Sequence, residues 1–410
     1  MNNLFEQLKS LGVELGKDKS DYKTKTTADP ALILGGTWQE NTYGKTLHIH
    51  KEYAPGATCG NIILQYQCDT PLLLDLLHLP LSPQQKEGFN QSAICFFDTE
   101  TSSLNLGSGA FAFLCGFSYF NEAGGVCVDQ FFMPHPSEEQ AFIHAVQSFF
   151  LTFKVLSSYN GKAFDVPMLR NRFLLHSMED DSLEKPHLDL LFVARSLWKR
   201  RLASCRLADV EQRILSLERE EEEVPGYLVP LLYQDYLREG DPTPLKGVLY
   251  HNEQDVVSLA ALYILLSDIF MREKMDLDHP QDLASLAYFH QKTGNVEEAA
   301  RYFDAYMTQC GQDADPQVLY DYAWLHRRKE NWAQALKLWS QAAEMDHLAS
   351  IIEIAKYYEH QQKDPAQAMQ WLARLEEREK DQVELIKDDL EKRSARLSSK
   401  MEKNDENREL

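Results

Sequence analysis

The chain predicts a mixed α/β domain, a five-stranded sheet with flanking helices, followed by an all-α region of helical repeats. Three observations carry this. The apolar run Ala93-Ile94-Cys95-Phe96-Phe97 has the length of a strand and the composition of one buried on both faces. Two more apolar segments follow, joined by the turn Asn121-Glu122-Ala123-Gly124, and beyond them helical and extended patterns alternate. From Leu283 the chain turns helical. The pattern Ala-x-x-x-large apolar recurs at Ala299/Phe303, Ala335/Trp339 and Ala368/Leu372, with spacings of 36 and 33 residues.

Composition bounds the reading. A length of 410 residues allows two to three domains with ample core. There is no run of eighteen apolar residues to span a membrane, and residues 1–19 lack the apolar centre of a signal peptide. The seven cysteines form no Cys-x-x-Cys pair, which argues against a zinc ribbon or a disulfide framework and predicts a reducing, cytoplasmic setting. A net charge of −21 argues against sequence-independent coating of DNA. It leaves room for an enzyme whose metal ions and local Lys/Arg groups meet phosphates.

Residues 1–30, without a clear period, read as a mobile leader. Residues 31–90 read as a β-rich extension and linker, with alternation in Thr46-Leu47-His48-Ile49-His50 and a run at Ile62-Ile63-Leu64. Gly44-Lys45-Thr46 looks like the end of a phosphate-binding loop. That motif needs a glycine where Gln39 stands and a helix where a strand continues, so it is set aside. His48, His50 and Cys59 lack a fourth ligand at sensible spacing and read as a half-exposed strand. The α/β domain covers 91–275. Its strands are expected at 93–97, 110–120, 125–133, 155–159 and 186–189, the first three as an antiparallel meander. Helices are expected at 137–153, with a Ser137/Gln140 capping box, at 165–176, with Pro167 in the first turn, and at 190–200 and 246–271. This order is that of a ribonuclease H-like sheet. The helical domain covers 278–400, and its spacings bracket the ~34-residue tetratricopeptide repeat. Its last helix is charged and is expected to fray into a tail over 400–410.

The chemistry starts where the first strand ends. Asp98 and Glu100 alternate with Thr99 and so point to one side of an extended chain. Buried carboxylates need a cation or a dense hydrogen-bond network. Downstream, Ser158-Tyr159-Asn160-Gly161-Lys162-Ala163-Phe164-Asp165 forms a strand-to-helix turn in which Asp165 is either a helix cap or a ligand. His251 and Asp255 stand four apart on one face of the last long helix. In this sheet type all three places border one end of the central strand. Four carboxylates there repel one another unless divalent cations intervene. All-oxygen ligation suits Mg²⁺ or Mn²⁺, and two such ions about 3.5–4 Å apart clamp both oxygens of an in-line phosphoryl displacement. His251, a turn before Asp255, is placed to orient or deprotonate the attacking water.

Phe97-Asp98-Thr99-Glu100, Tyr159-Asn160-Gly161-…-Phe164-Asp165 and His251-Asn252-…-Asp255 resemble the three motifs of the DEDD 3′→5′ exonucleases. The whole arrangement, with Pro225-Gly226 and the repeat domain, is similar to the bacterial YprB (mitomycin repair factor B) family. The resemblance implies a DNA-repair exonuclease with a helicase partner, and acts on a single strand or a 3′ end. It makes Asp98, Glu100 and Asp255 direct metal ligands and has Asp165 complete the second metal's shell. Thr99, Asn160 and Lys162 fall to nucleic-acid contact. The fifth catalytic residue departs from the family pattern. The His subclass places it five before the last Asp, at Tyr250, and the Tyr subclass four before, at His251; helix geometry favours His251. His187 and Asp189 are either supports of the site or, for Asp189, a helix cap. Lys199, Arg200, Arg201, Arg206, Arg170 and Arg172 are candidates for phosphate contact or for solvated helix faces. The acidic run 218–223 reads as a solvated loop. The competing functions are an exoribonuclease on the same site and a catalytically inert tetratricopeptide scaffold.

Overall fold

The apolar run at the start of the α/β domain becomes an interior strand of a seven-stranded sheet. The structure, a computed structural model, describes residues 29–66, 70–103, 109–179, 181–219, 224–271, 277, 279–376 and 387–406. Of the expected leader, residues 1–30, only Asp29 and Pro30 are described, at the start of a short helix at Pro30–Leu34; the rest lies outside them. Contacts between Cα atoms divide the chain into two compact units, Met1–Lys274 and Met275–Leu410.

The strands of the first unit are β1 (Thr37–Asn41), β2 (Gly44–Tyr53), β3 (Thr58–Cys59), β4 (Ile62–Ile63), β5 (Ile94–Thr101), β6 (Ala112–Phe120), β7 (Val126–Phe132), β8 (Val155–Ser158) and β9 (His187–Asp189). The main sheet has the order β1-β2-β7-β6-β5-β8-β9, and β3-β4 is a separate ribbon. From β1 through β5 neighbours are antiparallel, while β8 and β9 join in parallel. Chain length explains the change: the tight turn after β6 allows only an antiparallel return, whereas β5, β8 and β9 are separated by helices long enough for crossovers.

The sheet thus has two strands more than the five expected. The five are all present, and β1 and β2 extend the sheet beyond β7. Leu47 to Tyr53 pair along Phe132 to Val126, which closes a sheet edge that would otherwise expose its backbone groups. The alternation in β2 announced a strand, but nothing in it named the edge it would join.

Five principal helices flank the sheet: α1 (Glu139–Leu151), α2 (Asp165–Leu175), α3 (Leu190–Trp198), α4 (Val229–Glu239) and α5 (Leu245–Met271). Helix α4 was not anticipated. Consecutive residues of β5 face opposite layers. Phe96 meets Phe120 and Tyr263 of α5, with ring centroids at 5.6 and 5.3 Å, whereas Phe97 meets Phe150 of α1 edge-on at 5.0 Å. Each fully buried aromatic contributes about 1.5–3 kcal/mol. The Ser137 capping box does not form: Pro136 sets a 3₁₀ turn, His135 accepts from the Ser137 amide, and α1 begins at Glu139.

The second unit is helical throughout its described residues. Pairs form from α6 (Pro280–Lys292) with α7 (Val296–Cys310), α8 (Pro316–Arg328) with α9 (Trp332–Glu344), and α10 (Leu348–His360) with α11 (Pro365–Glu376), followed by α12 (Lys387–Glu406). The recurring Ala/large-apolar positions are all buried. The expected fraying over 400–410 is corrected as far as Glu406, where α12 ends; residues 407–410 lie outside the described residues. The reason is Glu359 of α10, whose enclosed side chain accepts from Arg393, Arg396 and Lys400 of α12. Burial pushes this carboxyl upward, but those hydrogen bonds and the charge of His360 outweigh it and hold it at about 2. No helix among the described residues is long and apolar enough to cross a membrane.

Replacing Glu359 with Gln leaves three cations facing a neutral amide. We expect a loss of about 1–3 kcal/mol, moderated because Arg396 and Lys400 stay about half exposed. Amide exchange over Lys387–Glu406 should speed up accordingly. In the wild type this contribution is complete above the ordinary Glu pKa near 4.5 and disappears as pH falls through about 2. Unchanged exchange in the variant would refute the anchor.

Candidate active site

The end of β5 is held by a buried amide. Asp98 pairs with Gly116 of β6, and the fully buried side chain of Asn252 lies over that glycine. A Cβ at 116 would overlap the Asn252 amide, so the close approach of α5 to the sheet requires glycine. Asn252 Nδ2 donates to Asp98 Oδ2 at 3.1 Å and to the Asp98 carbonyl at 3.3 Å. Its Oδ1 accepts from Gln130 Nε2 at 2.9 Å, and Gln130 also donates to the Leu249 carbonyl at 2.8 Å. The β5–β6 register shifts between Glu100 and Thr101, a bulge that ends regular pairing just past the acids.

Asp165 enters at the first turn of α2. It makes no helix cap; its Oδ1 accepts from Thr99 Oγ1 instead. Asn160 takes the left-handed conformation, φ 67°, and this turn is held by Asp189, whose carboxylate accepts from the amides of Asn160 at 2.8 Å and Lys162 at 3.3 Å. Asp189 also caps α3 through the Leu191 amide at 3.1 Å, so both readings of this residue hold geometrically. His187 Nε2 stands 2.8 Å from Ser158 Oγ, which accepts from the Gly161 amide. Burial, with a smaller push from the Lys162 charge, lowers the His187 pKa to about 3, so the ring is neutral and serves to brace the turn.

From α5, His251 Nε2 lies 3.9 Å from Glu100 Oε1 and 3.7 Å from Asp255 Oδ2. Glu100, 9% exposed, has its carboxyl raised to about 8, first by burial and then by Asp255 and Asp165 against the pull of His251. Asp98 is raised well above its usual range by burial and by Asp255, Asp165 and Glu100. Asp165 is raised to about 6 by burial, with Thr99 pulling the other way. Acids brought from β5, α2 and α5 therefore feel one another, although no three of their oxygens fall within 4.8 Å of one another among the described residues. An all-oxygen donor set fits a hard divalent cation: Asp98, Glu100, Asp165 and Asp255 are the residues that would hold it.

The sequence reading missed Arg219, a single cation inside the acidic run 218–223; residues 220–223 lie outside the described residues. Its guanidinium donates to Asp255 Oδ1, makes a two-pronged pair with Glu211 at 2.7 and 2.8 Å, and stands 3.2 Å from His251 Nδ1. Glu211 is 1% exposed. A lone Arg among glutamates was the available signal. Of the candidate phosphate contacts, Arg172 is instead engaged by Glu139 through two bonds of 2.6 and 2.5 Å. Lys162, Lys199 and Arg200 are exposed.

Residues 95–267 match the family model of the ribonuclease H superfamily. The chain is 34% identical over 294 residues to the uncharacterized protein YprB of Bacillus subtilis (strain 168), an alignment covering 69% of each chain. Among solved structures, a family B DNA polymerase from the hyperthermophilic archaeon Pyrobaculum calidifontis aligns with TM-score 0.34 and 14% identity. That alignment covers 53% of this chain and 29% of the polymerase.

Two measurements test the site's physics. Gly116→Ala should destabilise by about 1–3 kcal/mol through the clash with Asn252, read by denaturant unfolding; an unaffected midpoint would show that the glycine is not required. In cation-free protein the native Glu100 keeps a proton that the unfolded chain releases between the ordinary Glu pKa, 4.5, and about 8, so this residue costs stability progressively as pH rises through that window. Glu100→Gln should therefore raise Tm at pH 8.5 and leave it nearly unchanged at pH 4.5. Equal shifts at both values would remove the electrostatic account.

Proposed function

Because the chain belongs to the YprB family and carries a ribonuclease H superfamily domain, we propose that it is a metal-dependent 3′→5′ exonuclease hydrolysing DNA in repair. The superfamily membership supports cleavage of nucleic acid. The convergence of Asp98 with Glu100, Asp165 and Asp255, with His251 beside Glu100 and Asp255, is the single observation that carries the finer reading. The polarity and the repair role follow from the motif resemblance.

Mg²⁺ or Mn²⁺, bound as a pair, would supply charge neutralisation and Lewis acidity for an in-line displacement at phosphorus. The chain's own groups do the rest. Asn252 and Gln130 hold Asp98 in one orientation, and Thr99 does the same for Asp165. His251, whose Nδ1 accepts from Arg219, carries its proton on Nε2, the nitrogen turned toward Glu100 and Asp255, and orients the attacking water, which gives up its proton to solvent. Water oxygen bonds to phosphorus, the P–O3′ bond breaks, O3′ takes up a proton from solvent, and the terminal nucleotide leaves with its phosphate. Arg219 neutralises part of the charge on Asp255. Lys162, exposed beside the Asp165 turn, is the cation among the assigned nucleic-acid contacts. The helical unit is assigned to docking a helicase or another repair protein.

The test is a time course on end-labelled DNA and matched RNA with Mg²⁺, Mn²⁺ or EDTA. Asp98→Ala and Asp255→Ala should each reduce cleavage to background with the fold intact by circular dichroism, and EDTA should do the same to the wild type. Faster cleavage of RNA would turn the reading to an exoribonuclease. Full activity in the double variant would sink the metal site.

A further inference from the structure

A second cluster of ligating side chains lies on the opposite face of β2 from the site above. Lys51 and Tyr53 of β2 turn toward α5, where both bond Glu253. The alternate residues His48, His50 and Glu52 turn the other way. In register, His50 stands opposite Asp129 of β7, and Glu52 opposite Cys127. One ligand atom each from His50, Glu52 and Cys127 falls within 4.8 Å of the others. Cys59, the cysteine first considered with these histidines, is instead paired with Ser258 of α5 at 3.8 Å.

The hydrogen bonds fix which imidazole nitrogen is available. Asp129, 3% exposed, accepts from Tyr119 OH at 2.9 Å, from His48 Nε2 at 2.5 Å and from His50 Nδ1 at 2.9 Å. A carboxylate only accepts, so His50 carries its proton on Nδ1 and, when neutral, presents a lone pair on Nε2. That lone pair faces Glu52 Oε1 at 3.3 Å, acceptor against acceptor. Two acceptors at that separation need a proton or a cation between them. The third group converging there, the Cys127 thiol, is 4% exposed, and burial raises its pKa.

The geometry points to a zinc site formed by His50 Nε2, Glu52 and Cys127 Sγ, with Asp129 orienting the histidine from behind. The donor set decides the metal class. Imidazole, thiolate and carboxylate together suit Zn²⁺ and not Mg²⁺, and three protein ligands leave a fourth, water-filled position. The histidine backed by a carboxylate is the arrangement that fixes tautomer and ring orientation at such sites. Binding displaces the thiol proton to solvent, and the thiolate and carboxylate charges then balance the dication. The bond would staple β2 to β7, and with it the β1–β2 hairpin to the sheet.

The test uses the full chain and Co²⁺ as a spectroscopic substitute, with Mg²⁺ in excess to occupy the acid cluster on the other face. One equivalent of Co²⁺ should give a thiolate-to-cobalt charge-transfer band that Zn²⁺ abolishes. Cys127→Ser should remove the band and His50→Ala should weaken binding at least tenfold. Asp129→Asn, which touches no metal, should weaken it by about 10–100-fold while the band keeps its shape. Far-UV circular dichroism confirms folding of each variant. Zn²⁺ should raise the Tm of the wild type and not of Cys127→Ser. A folded wild type that gives no band, or a band that survives Cys127→Ser, overturns the assignment.

Discussion

The contact on which the first unit's chemistry depends is the amide of Asn252 laid over Gly116. It fixes two things at once. It brings α5 against the sheet at the one place where β6 has no side chain, and it aims the Asp98 carboxylate. Gln130 on β7 completes the chain of bonds. An uncharged donor is the fitting choice here, because a cation in its place would neutralise the acids permanently. Asn252 orients without neutralising, and the carboxylates remain in need of positive charge.

That need organises the surroundings. Burial raises Asp98, Glu100 and Asp165 alike, and the neighbouring acids push Asp98 and Glu100 further up. Arg219 supplies one positive group, shared between Asp255 and Glu211. A guanidinium divided between two acids meets only part of the demand. The remainder is what makes the cluster suited to divalent cations, and the same imbalance ties the acids' protonation to the stability of the domain.

Much of this was legible in the sequence because the signals were local. The apolar run of β5, the Asp-x-Glu at its end and the four-residue step from His251 to Asp255 each state a geometry that the chain then adopts. Asp189 was legible as a cap because capping depends on residues two positions away. What escaped was set by distant partners. Nothing near Asn252 announces that Gly116, far earlier in the chain, leaves room for it. Arg219 sits among glutamates and looked like part of a solvated loop. Arg172 looked free because Glu139 is too far away in sequence to be paired with it. The edge joined by β2 and the start of α1 were likewise decided by tertiary pairing and by Pro136, not by periodicity.

Strand β2 holds the helix that carries the site. Through Lys51 and Tyr53 it grips Glu253, the very next residue after Asn252. The β-rich extension is for this reason no detachable preface. A boundary drawn at residue 91, just before β5, would cut the brace from behind the amide that aims Asp98. A fragment meant to keep that brace has to include β2.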